Sequence, residues 1–214
     1  MNLEKLQNRN PAMDILRIVA VLCVISIHFF YHTGYYSTTA DNVPMYFATV
    51  LRTLFSVCVP LFMILSGFLL CNKTLKKGYY SGIRKTIIVY ILVAIACIIY
   101  KSCNGSYTLT TLTFFTGIFD FTGANYSWYI EMYIGLFLIV PFLNIIYKNL
   151  DSRKQKNILL ITLIAITILP SLFNAFKFDS YEWWANPATD TDTQKLMPSW
   201  WVGIYPITYY FTGW

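Results

Sequence analysis

The stretch that most constrains this chain is residues 11–32, PAMDILRIVAVLCVISIHFFYH, an apolar run that carries Asp14, Arg17 and His28. As a helix, the part from Met13 to Tyr31 rises about 28 Å, enough to cross the hydrocarbon core of a bilayer. At about 100° per residue, Arg17 and His28 fall only about 20° apart around the axis and about 16 Å apart along it. Asp14 falls within about 40° of His28, so the three groups share one stripe. Ionisable groups in a membrane helix are costly and usually face a protein interior or a water-filled cavity, which marks them as functional candidates. The plainer alternative makes Asp14 and Arg17 an i,i+3 pair at one interface and places His28 near the opposite headgroups.

Further apolar runs follow. A second helix is expected from about Pro44 to Leu70, capped by Asp41 or Asn42 and kinked at Pro60. A third is expected over about 86–100, a fourth over 127–147 with Pro141 inside it, and a fifth over 157–172. Residues 101–126 are apolar enough to bury but too short and too rich in Gly and Thr to span, which fits an interfacial or re-entrant segment. Residues 173–203 are polar and hold Trp183, Trp184, Trp200 and Trp201, aromatics suited to a membrane interface. The final run, IYPITYYFTGW, is too short to span. The expected fold is therefore all-α: a polytopic transmembrane helix bundle of about five complete spans plus the start of a sixth. The composition agrees, since 12% of residues are charged and 57% hydrophobic, against about 25% charged for a soluble domain. The N-terminal tail is polar and no short apolar core with a cleavage site follows it, so the first helix is expected to be retained.

The net charge of +6 does not point to nucleic acid, because its distribution follows a membrane topology. Of 16 Lys and Arg, eleven lie in the tail and in the loops at 71–85 and 148–156. Lys101, Lys177 and Lys195 lie in the other loops, and Arg17 and Arg52 lie inside helices. That asymmetry puts the N-terminus in the cytoplasm. In this orientation Arg17, Arg84 and Lys85 form an inner cationic layer, and His28, Arg52 and Glu131 an outer one. The two layers suggest a conduit that binds an anion from the cytoplasm and places chemistry toward the outside. The competing readings are juxtamembrane contacts to lipid phosphate for Arg84 and Lys85, a first-turn acid favoured by the helix dipole for Glu131, and a snorkelling side chain for Arg52. The five cysteines have no metal-like spacing and read as small buried hydrophobes, and no metal is expected.

Four stretches together resemble a known family. They are MDILRIVAVLCVISIH, with ten residues between Arg17 and His28; VPLFMILSGFLL, with Ser66, Gly67 and Phe68 near its end; NYSWYIEMYIGLFLIVPFLN, with Trp128, Tyr129, Glu131 and Pro141; and IYPITYYFTGW. In this order they resemble the integral-membrane acyltransferase family 3, bacterial O-acetyltransferases of cell-envelope and exopolysaccharide sugars. The resemblance covers essentially the whole chain, residues 1–214, as a single domain. Members often carry an Arg-x-x-Arg-type motif entering the third helix, whereas here Arg84 and Lys85 stand with Gly82 at the position of another basic residue. Members also continue through further helices, so the chain resembles an N-terminal portion, truncated at its C-terminus.

The resemblance implies a multi-pass protein of the bacterial inner membrane, surrounded by membrane lipid. It implies transfer of an acyl group, usually acetyl, from cytosolic acyl-CoA (acetyl-CoA) to the hydroxyl of a carbohydrate acceptor outside. Arg17, with Arg84 and Lys85, would hold the CoA phosphates. His28 would serve as general base on the acceptor hydroxyl or carry the acyl group transiently. Glu131 would orient the imidazole or bind sugar. Two other classes compete. A transporter or flippase would also bury Arg, His and Glu but should show inverted repeats, and no convincing repeat is present. A membrane sensor or anchor domain would be followed by a soluble enzyme in the parent gene.

Overall fold

The computed structural model describes residues 10–174 and 195–214. The tail with Lys5 and Arg9, and the part of the Trp-rich loop holding Lys177, Trp183 and Trp184, lie outside the described residues. Among the described residues every regular element is helical: α1 (Pro11–His32), α2 (Val43–Phe55), α3 (Cys58–Leu70), α4 (Arg84–Cys103), α5 (Thr111–Phe119), α6 (Trp128–Lys148), α7 (Arg153–Thr167), α8 (Leu169–Phe173) and α9 (Tyr205–Thr212). Five stretches are long and apolar enough to cross a membrane: Pro11–His32, Val43–Leu70, Tyr79–Cys103, Trp128–Lys148 and Arg153–Phe173. The chain is thus all-α and polytopic, with the five spans expected from its apolar runs.

Side-chain caps set the helix starts. Asn10 accepts from the Ala12 amide at 3.0 Å ahead of Pro11. Asn42, one of the two expected caps, accepts from the Met45 amide at 2.9 Å. Ser152 and Gln155 form a reciprocal capping box, which starts α7 at Arg153 rather than at the expected Asn157.

Prolines mark the interruptions, and each acts on the turn before it. A proline has no N–H for the carbonyl four residues earlier, and its ring crowds that carbonyl. Pro60 accordingly breaks the second span at Ser56 and Val57, between α2 and α3, rather than at the proline itself. Pro170 sits in the first turn of α8, and the break from α7 falls two residues before it, at Ile168. Pro141 would do the same to the Phe137 carbonyl, yet α6 runs through it unbroken. The Tyr79 hydroxyl donates to that carbonyl at 2.7 Å and so replaces the missing N–H. The Tyr79 ring also stacks on Phe137 with centroids 4.7 Å apart.

The described residues form two compact units. The first holds the chain up to Leu70 together with the chain from Ser152 onward. In it α3 packs against both α1 and α9, and α9 also packs on α7. The α3–α9 contact is backbone against backbone. A Cβ at Gly67 would overlap the Tyr210 carbonyl oxygen, and one at Gly213 would overlap the Ile64 carbonyl oxygen. Small residues allow this approach, a common basis of helix association in membranes. On the other side of α9, the buried Thr208 and Thr167 hydroxyls lie 2.8 Å apart. Thr167 donates to the Leu163 carbonyl, so Thr208 is the donor between them.

The second unit is Cys71–Asp151. Here the stretch read as interfacial or re-entrant folds back along α4. Gly117 and Gly123 lie against Ile98, and the Tyr90 hydroxyl donates to the Ile118 carbonyl at 2.6 Å. Phe121 stacks on Tyr90 with centroids 4.5 Å apart, and Lys101 donates to the Gly123 carbonyl at 2.9 Å. The turn that follows holds Phe121 at φ 55° and Tyr126 at φ 67°. Left-handed backbone costs a non-glycine residue about 1–3 kcal/mol. The Ser127 hydroxyl, against the carbonyls of Phe121 and Ala124, ties this turn down.

Candidate functional site

In the first unit, Asp14, Arg17 and His28 occupy one uninterrupted helix, so their common stripe stands. Measured from the buried Ala20, the stripe lies about 60–120° round the helix, on the flank of the packed face. Arg17 donates to Asp14 at 2.8 Å, so the i,i+3 pair forms. Arg17 is exposed, at 44%, and Asp14 half-buried, at 24%. An i,i+3 pair of this kind is worth only about 0.2–0.5 kcal/mol, so an arriving anion can recruit the guanidinium at small cost.

His28 is half-buried, and its Nδ1 lies 2.8 Å from the Val24 carbonyl oxygen. A carbonyl only accepts, so Nδ1 carries the proton and the lone pair of the neutral ring sits on Nε2. The backbone of α1 therefore fixes the tautomer a general base needs. Phe30, two residues on, meets Phe55 with ring centroids 6.4 Å apart, and α1 packs against both α2 and α3. His28 is thus close in depth to Ser56 and Val57, which follow Phe55 where Pro60 interrupts the span. Non-helical backbone at membrane depth is tolerated only inside protein or beside a water-filled cavity. Further along α2, the half-buried Arg52 donates through Nε to the Tyr36 hydroxyl at 2.9 Å, with its guanidinium carbon 5.5 Å from that ring's centroid.

In the second unit, Arg84 and Lys85 open α4 and both are exposed. The cationic pocket of this unit is built one step earlier, over residues 72–82. It measures about 600 Å³ and is lined by Lys73, Lys76, Asn72, Thr74 and Ser81, with Tyr79 and Phe137 beneath. Its position is fixed from below: the buried Asn144 of α6 donates to the Lys73 carbonyl at 2.8 Å. Gly82 also lines it, and a Cβ there would sit 3.4 Å from the Phe137 ring. Neither lysine stood out in the sequence, where the loop's charge reads as topology. The coincidence of Lys73 and Lys76 with a buried asparagine and a proline one turn apart on α6 was the available signal.

Glu131 is exposed in the first turn of α6 and close enough to Tyr90 to act on it electrostatically. Lys85, Tyr90, Ser127 and Ile130 line a single cleft, because the turn before α6 folds back along α4 instead of staying at its far end. His28 and Arg17 belong to one unit, and Glu131, Arg84 and Lys85 to the other.

The family model described as an acyltransferase domain, of acyltransferase family 3, matches residues 10–214. Neither a curated protein nor a solved structure matches the chain.

Proposed function

The chain belongs to acyltransferase family 3, and on that premise we propose that it transfers an acetyl group from acetyl-CoA to a hydroxyl of a bacterial cell-envelope or exopolysaccharide sugar. Acyl transfer needs a base near the attacking hydroxyl and an anchor for the donor. The observation that supports the reading most is the His28 tautomer, with the basic nitrogen on Nε2 and the ring close in depth to the broken span. In this reading Nε2 takes the proton of the sugar hydroxyl as its oxygen attacks the thioester carbonyl. The C–S bond then breaks, and the CoA sulfur leaves and takes up the proton. Arg17 takes a donor phosphate in exchange for Asp14, and Glu131 binds sugar.

The pocket over 72–82 suits the phosphorylated adenosine end of the donor. Its volume falls in the usual range for small-molecule sites, and two ammonium groups with hydroxyl donors match phosphate oxygens. Lys73→Ala with Lys76→Ala is therefore expected to raise the KM for acetyl-CoA roughly tenfold or more, with kcat changed little. Steady-state transfer from labelled acetyl-CoA with purified protein checks this. An unchanged KM removes the pocket from the donor site.

A cytosolic donor also requires that pocket to face the cytoplasm. In a cysteine-free background, an impermeant thiol reagent applied to intact cells is expected to label Ser199→Cys but not Lys76→Cys. The reverse pattern overturns the orientation.

A further inference from the structure

The cleft of the second unit that contains Lys85 differs in shape and chemistry from the pocket over 72–82. It has a volume of about 470 Å³. One wall is a face of α4: Lys85, Val89 and Val93, at successive turns, rising about 12 Å. The opposite wall is the turn at Ala124–Ser127 and Ile130. Thr86, Asn125 and Tyr126 add polar groups to the lining, but two of the hydroxyls along it are already committed. The Tyr90 hydroxyl is bound to the Ile118 carbonyl, and the Ser127 hydroxyl to Phe121 and Ala124. What remains is a mainly apolar channel with an ammonium at one end, and Val89 and Val93 stay half exposed along it. The backbone that closes it is held in left-handed conformation at Phe121 and Tyr126. Conformations of that kind persist where the surroundings over-determine them, and they cluster at ligand sites.

We propose that this cleft binds an anionic phospholipid, with one acyl chain along Val89 and Val93 and the headgroup phosphate on Lys85, next to Arg84. Three features select that occupant. The cleft follows a helix able to span the membrane, so lipid is the ambient ligand. Its cation sits at the end of that helix, where headgroups lie and where basic clusters attract anionic lipid. The charge is also directly beside the hydrocarbon wall. In a phospholipid the phosphate adjoins the chains, whereas in a long-chain acyl-CoA the pantetheine arm holds the phosphates far from the acyl tail. The acid Glu131 is not among the residues lining the cleft, so a headgroup at Lys85 stays on the basic side. The assignment does not depend on the reaction proposed above.

Native mass spectrometry of the full chain, purified in detergent and given dioleoyl phosphatidylglycerol or dioleoyl phosphatidylcholine at equal concentration, tests this. Wild type is expected to retain one phosphatidylglycerol about tenfold more strongly than phosphatidylcholine. Lys85→Glu, a surface change compatible with folding, is expected to erase that preference, and Val93→Trp to remove the adduct. Equal retention of the two lipids by wild type overturns the site. So does a preference that survives Lys85→Glu, or one lost equally in the control Arg153→Glu, which would mark a general charge effect. Displacement of phosphatidylglycerol by palmitoyl-CoA would return the cleft to a thioester donor's tail and overturn the lipid assignment.

Discussion

Replacing His28 by alanine is expected to lower acyl transfer per folded molecule by roughly 10²-fold or more, with donor affinity little changed. The expectation rests on the bond from Nδ1 to the Val24 carbonyl, which leaves Nε2 as the basic nitrogen. Arg17 lies on the same stripe about 16 Å away, too far to share that task. Arg17→Ala should mainly weaken acetyl-CoA binding. Arg17→Lys should recover it only in part, because lysine keeps the charge and loses the planar fork. If both residues serve folding alone, each alanine variant lowers the amount of detergent-stable protein and leaves normalised activity near wild type. Transfer to the envelope acceptor and acetyl-CoA binding, both normalised to folded protein, separate the cases. Near-full normalised activity in His28→Ala removes the base from the mechanism.

The second large effect is structural. Gly67→Ala is expected to destabilise the first unit by about 3 kcal/mol or more, beyond most cases of overpacking. The added methyl meets the Tyr210 carbonyl, and the backbone of α9 is not the movable end of a side chain. Gly135→Ala is the matched control. Gly135 is also helical, but nothing lies within 4 Å of a Cβ there. Removing a helical glycine should stabilise α6 by roughly 0.5–1 kcal/mol. Thermal unfolding in detergent should therefore move in opposite directions for two identical substitutions. A Gly67→Ala protein as stable as wild type would mean that α9 does not dock on α3 as described.

The apolar runs made the five spans legible, because length and hydropathy are properties of a segment by itself. The Asn42 cap was legible for the same reason, since it acts within one turn. The stripe of Asp14, Arg17 and His28 followed from helical spacing alone. What the sequence concealed depends on partners far along the chain. Pro60 and Pro141 look alike in sequence, yet one breaks its span and the other does not, because Tyr79 supplies a hydroxyl to Phe137. Ser66-Gly67-Phe68 was recognisable as a motif, but its physical meaning needs the Tyr210 carbonyl beside it. The cleft that Lys85 shares with Ser127 and Ile130 was not legible, because the return of residues 111–127 along α4 has no local signature of depth. Lys73 and Lys76 were indistinguishable from topology-setting charge until Asn144 was seen to hold their loop.

The first unit is interrupted in sequence by the whole of the second, and this bears on how the protein is made. α3 leaves the ribosome well before α9, since Gly67 and its neighbour Tyr210 are more than a hundred residues apart. During that interval the glycine face of α3 has entered the bilayer without its partner, and lipid or an insertion chaperone must occupy it. The second unit has its own contacts and can close while translation continues. Completion of the unit that carries His28 therefore waits on the last helix described, and nascent chains arrested before Tyr205 should be the form that membrane quality control meets.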